Sequence, residues 1–170
     1  ADVIERRFDD FLAAEIADTG RPLEQARKLD VYRGIANFRT FADLGKTAHG
    51  DSFETSLADG TRLINYTTRK PLGVVASISP WNLPILSLTW KAAPALICGN
   101  AIICKPSEET PSSATLIAEA FHEAGVPPGV FNLVHGDGPT VGAAIASHPL
   151  VDMVSFTGST RAGIEVARNA

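Results

Sequence analysis

From Leu72 onward the chain alternates short, almost wholly apolar runs with helical segments, and this alternation restricts the fold more than any other feature. The runs are Leu72 to Ser79, Ala101 to Cys104, Phe131 to Val134 and Met153 to Phe156. A strand that is apolar on both sides needs cover on both sides, and strands that alternate with helices pair in parallel through crossover connections. Residues 71–170 therefore predict an α/β domain, a doubly wound parallel sheet of Rossmann-like type. Pro94 falls within the first intervening helix, where its missing N–H should kink or divide it.

Two helices and a hairpin precede that pattern. Ile4, Phe8, Phe11, Leu12 and Ile16 recur at helical spacing until Gly20 and Pro22 interrupt them. A second helical pattern runs from Leu23 through Leu29, Ile35, Phe38 and Phe41 to Leu44, and stops at Gly45. Phe53, Thr55 and Leu57 then alternate before Asp59-Gly60, and Ile64, Tyr66 and Thr68 alternate after it, the signal of a hairpin around an Asp-Gly turn. A two-stranded ribbon is unstable alone, so this one is expected to protrude and pair with another part of the protein or another subunit. The expected organisation is residues 1–51 as helices packing on the sheet domain, 52–70 as the hairpin, and 71–170 as the α/β domain.

A formal charge of −4 without a basic run argues against nucleic acid or an anionic membrane as the main partner. No apolar stretch reaches the length of a membrane span, and residues 1–10 lack the layout of a secretory signal, so a cytoplasmic location is expected. Cys98 and Cys104 are too few for a disulfide framework, and both read as packed core thiols. His49, His122, His135 and His148 show no metal-ligand spacing and read as surface or loop residues, so no metal is expected. The chain begins without methionine and stops at Ala170 inside a helical pattern, which reads as the leading part of a longer polypeptide.

In open α/β sheets, ligands bind beyond the carboxyl ends of the strands, so the residues following each apolar run are the candidates. Four segments qualify: Ser79-Pro80-Trp81-Asn82, Lys105-Pro106-Ser107-Glu108, Gly136-Asp137-Gly138-Pro139 with Gly142, and Thr157-Gly158-Ser159 with Gly163. Together they look like a dinucleotide site. Gly158 and Ser159 suit close backbone approach to phosphate at a helix N-terminus, or else a turn in which Ser159 merely caps the helix. The glycines at 136, 138 and 142 miss the usual G-x-G-x-x-G because Val141 takes the final glycine position; a plain loop before a helix is the alternative. Lys105 and Glu108 offer an ammonium and a carboxylate to the two hydroxyls of a ribose, or form a solvated ion pair. A carboxylate there repels a 2′-phosphate and favours NAD over NADP. Asn82 either caps the following helix or aims its amide at an oxyanion developing on a carbonyl under attack.

These segments, in order, resemble the aldehyde dehydrogenase superfamily. The resemblance is carried by P-W-N-L-P, W-K-A-A-P-A-L-I-C-G-N, K-P-S-E-E-T-P, A-G-V-P-P-G-V-F-N and F-T-G-S. It covers nearly all of 71–170 and extends more faintly to Asp18-Thr19-Gly20-Arg21-Pro22. It implies that Asn82 helps hold a thiohemiacetal oxyanion and that Lys105 and Glu108, with Ser107 beside them, bind the adenosine ribose. Gly158 and Ser159 would face the pyrophosphate, with Gly138 nearby, and Ser79 and Trp81 would line the cofactor through their backbone. Lys91 matches a lysine assigned a charge-relay role, or else forms a salt bridge on the helix surface. The hairpin would be the family's oligomerisation ribbon, implying a homo-oligomer. In that family a cysteine thiolate attacks the aldehyde, NAD is reduced, and a glutamate activates the water that hydrolyses the thioester. Neither the cysteine nor the glutamate segment occurs here, so the chain alone is expected to be inactive, or to serve as a nucleotide-binding or oligomerisation module. The wording is nearest to the 2-hydroxymuconic semialdehyde dehydrogenase branch, with betaine-aldehyde-like branches close behind.

Overall fold

The computed structural model describes all 170 residues. Its N-terminal helical pattern is divided: α1 spans Asp2–Arg6 and α2 Phe8–Thr19, with Arg7 leaving helical geometry between them. Gly20 ends α2 in the left-handed conformation at φ 66°, and its N–H closes on the Ile16 carbonyl, as a glycine after a helix allows. The second pattern is one continuous helical path made of α3 (Leu23–Gln25), a π-helical stretch (Ala26–Val31) and α4 (Tyr32–Lys46).

The hairpin forms where expected. β1 (Ser52–Ser56) and β2 (Arg62–Tyr66) are antiparallel, with Glu54 opposite Ile64, and make a separate two-stranded sheet. Phe53, Ile64 and Tyr66 are all largely exposed on it.

The remaining strands, β3 (Val74–Ile78), β4 (Ala101–Lys105), β5 (Phe131–Leu133) and β6 (Met153–Phe156), form one parallel sheet in the order β5-β4-β3-β6. The chain thus builds outward from β3 in one direction, then returns to add β6 on its other side. Between them lie α5 (Pro84–Ile97), α6 (Ser112–Glu123), a π-helical turn (Gly138–Gly142) leading into α7 (Ala143–Ala146), and finally α8 (Thr160–Asn169). α5 runs unbroken through Pro94, so the expected division does not occur.

Register explains the layers. Val75, Ile102 and Phe131 are neighbours across three strands, as are Ser77, Cys104 and Leu133, and period-two alternation puts them on one face. That face joins a hydrophobic cluster including Ile85 and Leu88 of α5, Ala114 and Ile117 of α6, and Val3, Ile4, Phe11 and Leu12 of the N-terminal helices. On the opposite face the Lys105 stem lies beside Gly142, and the Phe156 ring lies against Gly158 of the last strand-to-helix connection and Gly163 of α8. Helices from both sides therefore meet the sheet. Asn100 ties the lead-in to β3 to the end of α5: the side chain accepts from the N–H groups of Leu72 (2.7 Å) and Gly73 (3.0 Å) and donates to the Ala95 carbonyl.

Candidate functional site

The strand order reverses between β3 and β6, and a crevice opens at such a point because the two following connections depart in opposite directions. The ladder continues past the strands: Ser79 N–H donates to the Lys105 carbonyl (3.1 Å) and Thr157 N–H to the Ile78 carbonyl (3.1 Å). Those bonds bring the starts of three candidate segments, 79–82, 105–108 and 157–159, to one end of the sheet.

Each candidate has a definite setting there. Ser79 is buried, while Trp81 and Asn82 are exposed. Lys105 is buried, and its Nζ donates to the Pro106 carbonyl (2.8 Å) and to Glu108 Oε2 (3.2 Å). The Glu108 side chain is 48% exposed, so its carboxylate presents free oxygen toward solvent while Lys105 anchors it. Its pKa lies below the usual carboxylate range, first through its own backbone N–H and then through Lys105. Ser107 is buried, and its Oγ accepts from Glu109 N–H (3.3 Å). Next to Glu108, a cleft of about 530 Å³ is bordered by Pro111, Thr115, His135 and Gly136.

Gly138 opens the π-helical turn, where Asp137 accepts from Thr140 N–H (2.6 Å), and the space a Cβ would take at Gly138 is empty. Gly158 differs, because any Cβ there would run into the tip of the Phe156 ring. Ser159 caps α8, its Oγ accepting from Ala162 N–H (3.2 Å). Asn82 caps nothing: Leu83 is the N-cap of α5, neither residue's own side chain bonds the helix end, and the Asn82 amide has no partner.

Lys91 does not join this cluster. It is buried, donates only to the Ser87 carbonyl one turn back (3.3 Å), and has no carboxylate within ion-pair reach, so the surface salt bridge is absent. Burial pushes its ammonium below the ordinary lysine range. It borders a separate cleft of about 650 Å³ with Trp90, Pro94, Cys98, Met153 and Ser155. Cys98 is exposed in that cleft and is not a core thiol: α5 ends at Ile97, and Cys98 and Gly99 form an exposed turn before buried Asn100. Cys104 is buried as expected, and burial pushes its thiol up to about 12.

Local pattern missed a set of charged residues behind the site. Glu15 Oε1 accepts from Ile85 N–H at the start of α5 (3.0 Å), and Asp18 holds both the N–H and the hydroxyl of Ser112 at the start of α6 (2.8 Å each). Arg21 reaches the Asn82 carbonyl (2.7 Å). The only forewarning is charge at the C-terminal end of a helix whose apolar face had already been used.

The aldehyde dehydrogenase family profile matches residues 1–170, the whole chain. The chain belongs to the aldehyde dehydrogenase family. It is 57% identical to a 2-aminomuconic 6-semialdehyde dehydrogenase of Pseudomonas sp., over all of this chain and 35% of that protein. It is 52% identical to a 2-hydroxymuconic semialdehyde dehydrogenase of Pseudomonas sp. (strain CF600), again over all of this chain and 35% of the relative. Among solved structures, the NAD+ complex of an aldehyde dehydrogenase from Bacillus cereus superposes with a TM-score of 0.93 at 39% identity, over 99% of this chain and 33% of that one. The chain thus spans about a third of the length of the curated relatives it matches. The expected fold class stands with this family: a parallel four-stranded sheet, with a small antiparallel hairpin apart from it. No helix is long and apolar enough to cross a membrane, and no group of three His, Cys, Asp or Glu side chains converges as metal ligands would.

Proposed function

We propose that this chain forms the NAD-binding part of a cytoplasmic enzyme that oxidises an aldehyde to a carboxylic acid, with Asn82 donating to the oxyanion formed during attack. The observation that carries the reading is the gathering of segments 79–82, 105–108 and 157–159 at the point where the strand order reverses. The residues fit the cofactor: Glu108 offers free carboxylate oxygen held in place by buried Lys105, and a cleft with room for an adenosine lies beside it. Gly138 leaves open space, and Gly158, which has no side chain, lies just ahead of the α8 N-terminus. Ser79, Trp81, Ser107 and Ser159 complete the cofactor-facing set.

NAD bound there would supply the electron acceptor. The chain's own contributions are orientation and electrostatics. The ribose hydroxyls would bond Glu108 and Lys105, and a 2′-phosphate would be repelled by Glu108. The unpartnered Asn82 amide would stabilise negative charge on the carbonyl oxygen.

Neither cysteine here suits the nucleophile. Cys104 lies within β4 with its thiol held protonated, and Cys98 lies at the far end of α5, about 20 Å from Asn82 at 1.5 Å per residue. The attacking thiolate and the base that activates water would come from outside these residues. So would the acid with which Lys91 could exchange a proton in a relay. The substrates named by the two Pseudomonas relatives make a semialdehyde the first candidate. The exposed apolar side chains of β1 and β2 suit contact between subunits of a homo-oligomer, with residues 1–51, 52–70 and 71–170 as the helical, oligomerisation and cofactor parts.

Calorimetric titration of the folded protein with NAD and NADP, beside Glu108→Gln, tests the cofactor site. NAD should bind more tightly than NADP, and the substitution should weaken NAD binding about tenfold, as loss of a charge-assisted hydrogen bond does. Folded protein that binds neither nucleotide would overturn the reading.

A further inference from the structure

Asn82 belongs to a loop with little hold of its own. Its side chain is unbonded, Leu83 follows at φ −146° and ψ 65°, and Trp81 before it is 61% exposed. The hold comes from the end of α2. Arg21 Nη2 donates to the Asn82 carbonyl (2.7 Å), while Nη1 of the same guanidinium donates to Asp30 Oδ1 (3.0 Å). Asp30 is buried at the end of the π-helical stretch, and Arg21 is its sole ion-pair partner. A planar guanidinium with nitrogens in a rigid fork can span two such acceptors at once; an ammonium on a flexible stem cannot fix them in the same way. Arg21 is itself fixed from behind, because Gly20 turns the chain out of α2 and Arg21 N–H donates to Thr19 Oγ1 (3.2 Å).

We propose that Arg21, oriented by Asp30, is a positioning residue that sets the direction of the Asn82 amide by gripping the Asn82 backbone carbonyl. The carbonyl direction fixes the backbone torsion of Asn82 and with it the line along which the side chain leaves the loop. Three residues on, Glu15 holds Ile85 N–H and keeps the start of α5 in place whether or not Arg21 is present. Loss of Arg21 therefore frees the loop on one side without freeing the helix. The proposal rests on the reading of Asn82 as the oxyanion donor, and it adds a residue that touches neither substrate nor cofactor.

The test is a double-mutant cycle on the full-length product of the gene, with aldehyde-dependent NADH formation and NAD binding as separate readouts. Asn82→Ala should lower kcat about a hundredfold, the usual scale for removing an oxyanion donor. Arg21→Met should lower kcat about tenfold through misplacement of that donor, while the NAD dissociation constant stays within about twofold. The variant carrying both should be no slower than Asn82→Ala alone, since a residue that acts through another adds nothing once the other is gone. Should Arg21→Met not fold, Arg21→Lys keeps the charge against Asp30 and should show the same non-additivity with a smaller loss. Two independent, multiplying losses would overturn the proposal, as would unchanged kcat in Arg21→Met beside a slow Asn82→Ala. An unimpaired Asn82→Ala would instead overturn the oxyanion reading itself and this proposal with it.

Discussion

Glu15 should make the fold lose stability as pH rises toward neutrality. The carboxyl is 1% exposed, accepts one hydrogen bond from Ile85 N–H, and has a second oxygen without a partner. Ser113, at the start of α6, lies beside it, but its Oγ also completes no hydrogen bond. Burial is the main reason the acid is raised from 4.5 to about 7; Asp30 adds to the rise, whereas Ser113, Ile85 N–H and Arg21 oppose it. Between those two values the folded protein keeps a proton that the unfolded chain has released, so stability falls from pH 4.5 to 7 and levels off above. At about 1.4 kcal/mol for each pH unit, the loss from this one group is about 3 kcal/mol.

Glu15→Gln separates this effect from the other titrating groups. Glutamine Oε1 can still accept from Ile85 N–H, and its amide can donate to Ser113 Oγ, as the protonated acid would. The variant should match the parent within about 1 kcal/mol at pH 4.5 and exceed it by roughly 2–3 kcal/mol at pH 8. Urea unfolding followed by the fluorescence of Trp81 and Trp90, repeated from pH 4.5 to 8.5, measures the difference, and carboxylates common to both proteins cancel. Parallel stability curves, or a variant weaker than the parent at pH 8, would refute the buried-acid argument.

Two further outcomes follow from the packing. Asn100→Ala removes the acceptor for Leu72 and Gly73 N–H and the donor to Ala95, and should cost roughly 2–4 kcal/mol in urea unfolding; a loss too small to measure would mean that water replaces the side chain. Ile64→Asp puts a charge on the exposed face of the hairpin and should reduce the assembled mass of the full-length protein in light scattering, whereas an unchanged oligomer would remove the hairpin from the interface.

The elements that sequence reveals are those whose information is local. The four apolar runs became the four parallel strands, and Asp59-Gly60 became the hairpin turn, because residue period and turn chemistry act over a few neighbours. The single helix expected across Phe8 is in fact two, since the apolar spacing of Ile4, Phe8 and Phe11 survives a break at Arg7, whose guanidinium pairs with Asp10 and Glu119. Cys98 shows the opposite error: apolar composition at a helix end suggested burial, whereas Cys98 lies in an exposed turn at 97–99. The strand-end residues were legible as candidates because topology puts every one of them at the same end of the sheet. The residues holding them were not, because Glu15–Ile85, Arg21–Asn82 and Asp18–Ser112 join positions 70, 61 and 94 residues apart.

Those long connections bear on what the N-terminal helices are for. Their apolar residues share one hydrophobic cluster with Val75 and Ile102 of the sheet, so burial alone would explain why they are there. Burial does not explain why α2 spends Glu15 and Asp18 on two different helix N-termini and passes directly into an arginine that grips the loop between β3 and α5. A helix N-terminus has four unsatisfied N–H groups, and a carboxyl brought by another helix satisfies one of them while fixing the spacing of the two helices it touches. α5 and α6 follow β3 and β4, whose ends carry Asn82 and Glu108, so the same three side chains set the relative positions of both candidate residues. In a parallel sheet the strands fix only where each loop begins; here the ends of the two loops that follow β3 and β4 are held by one segment, 15–21.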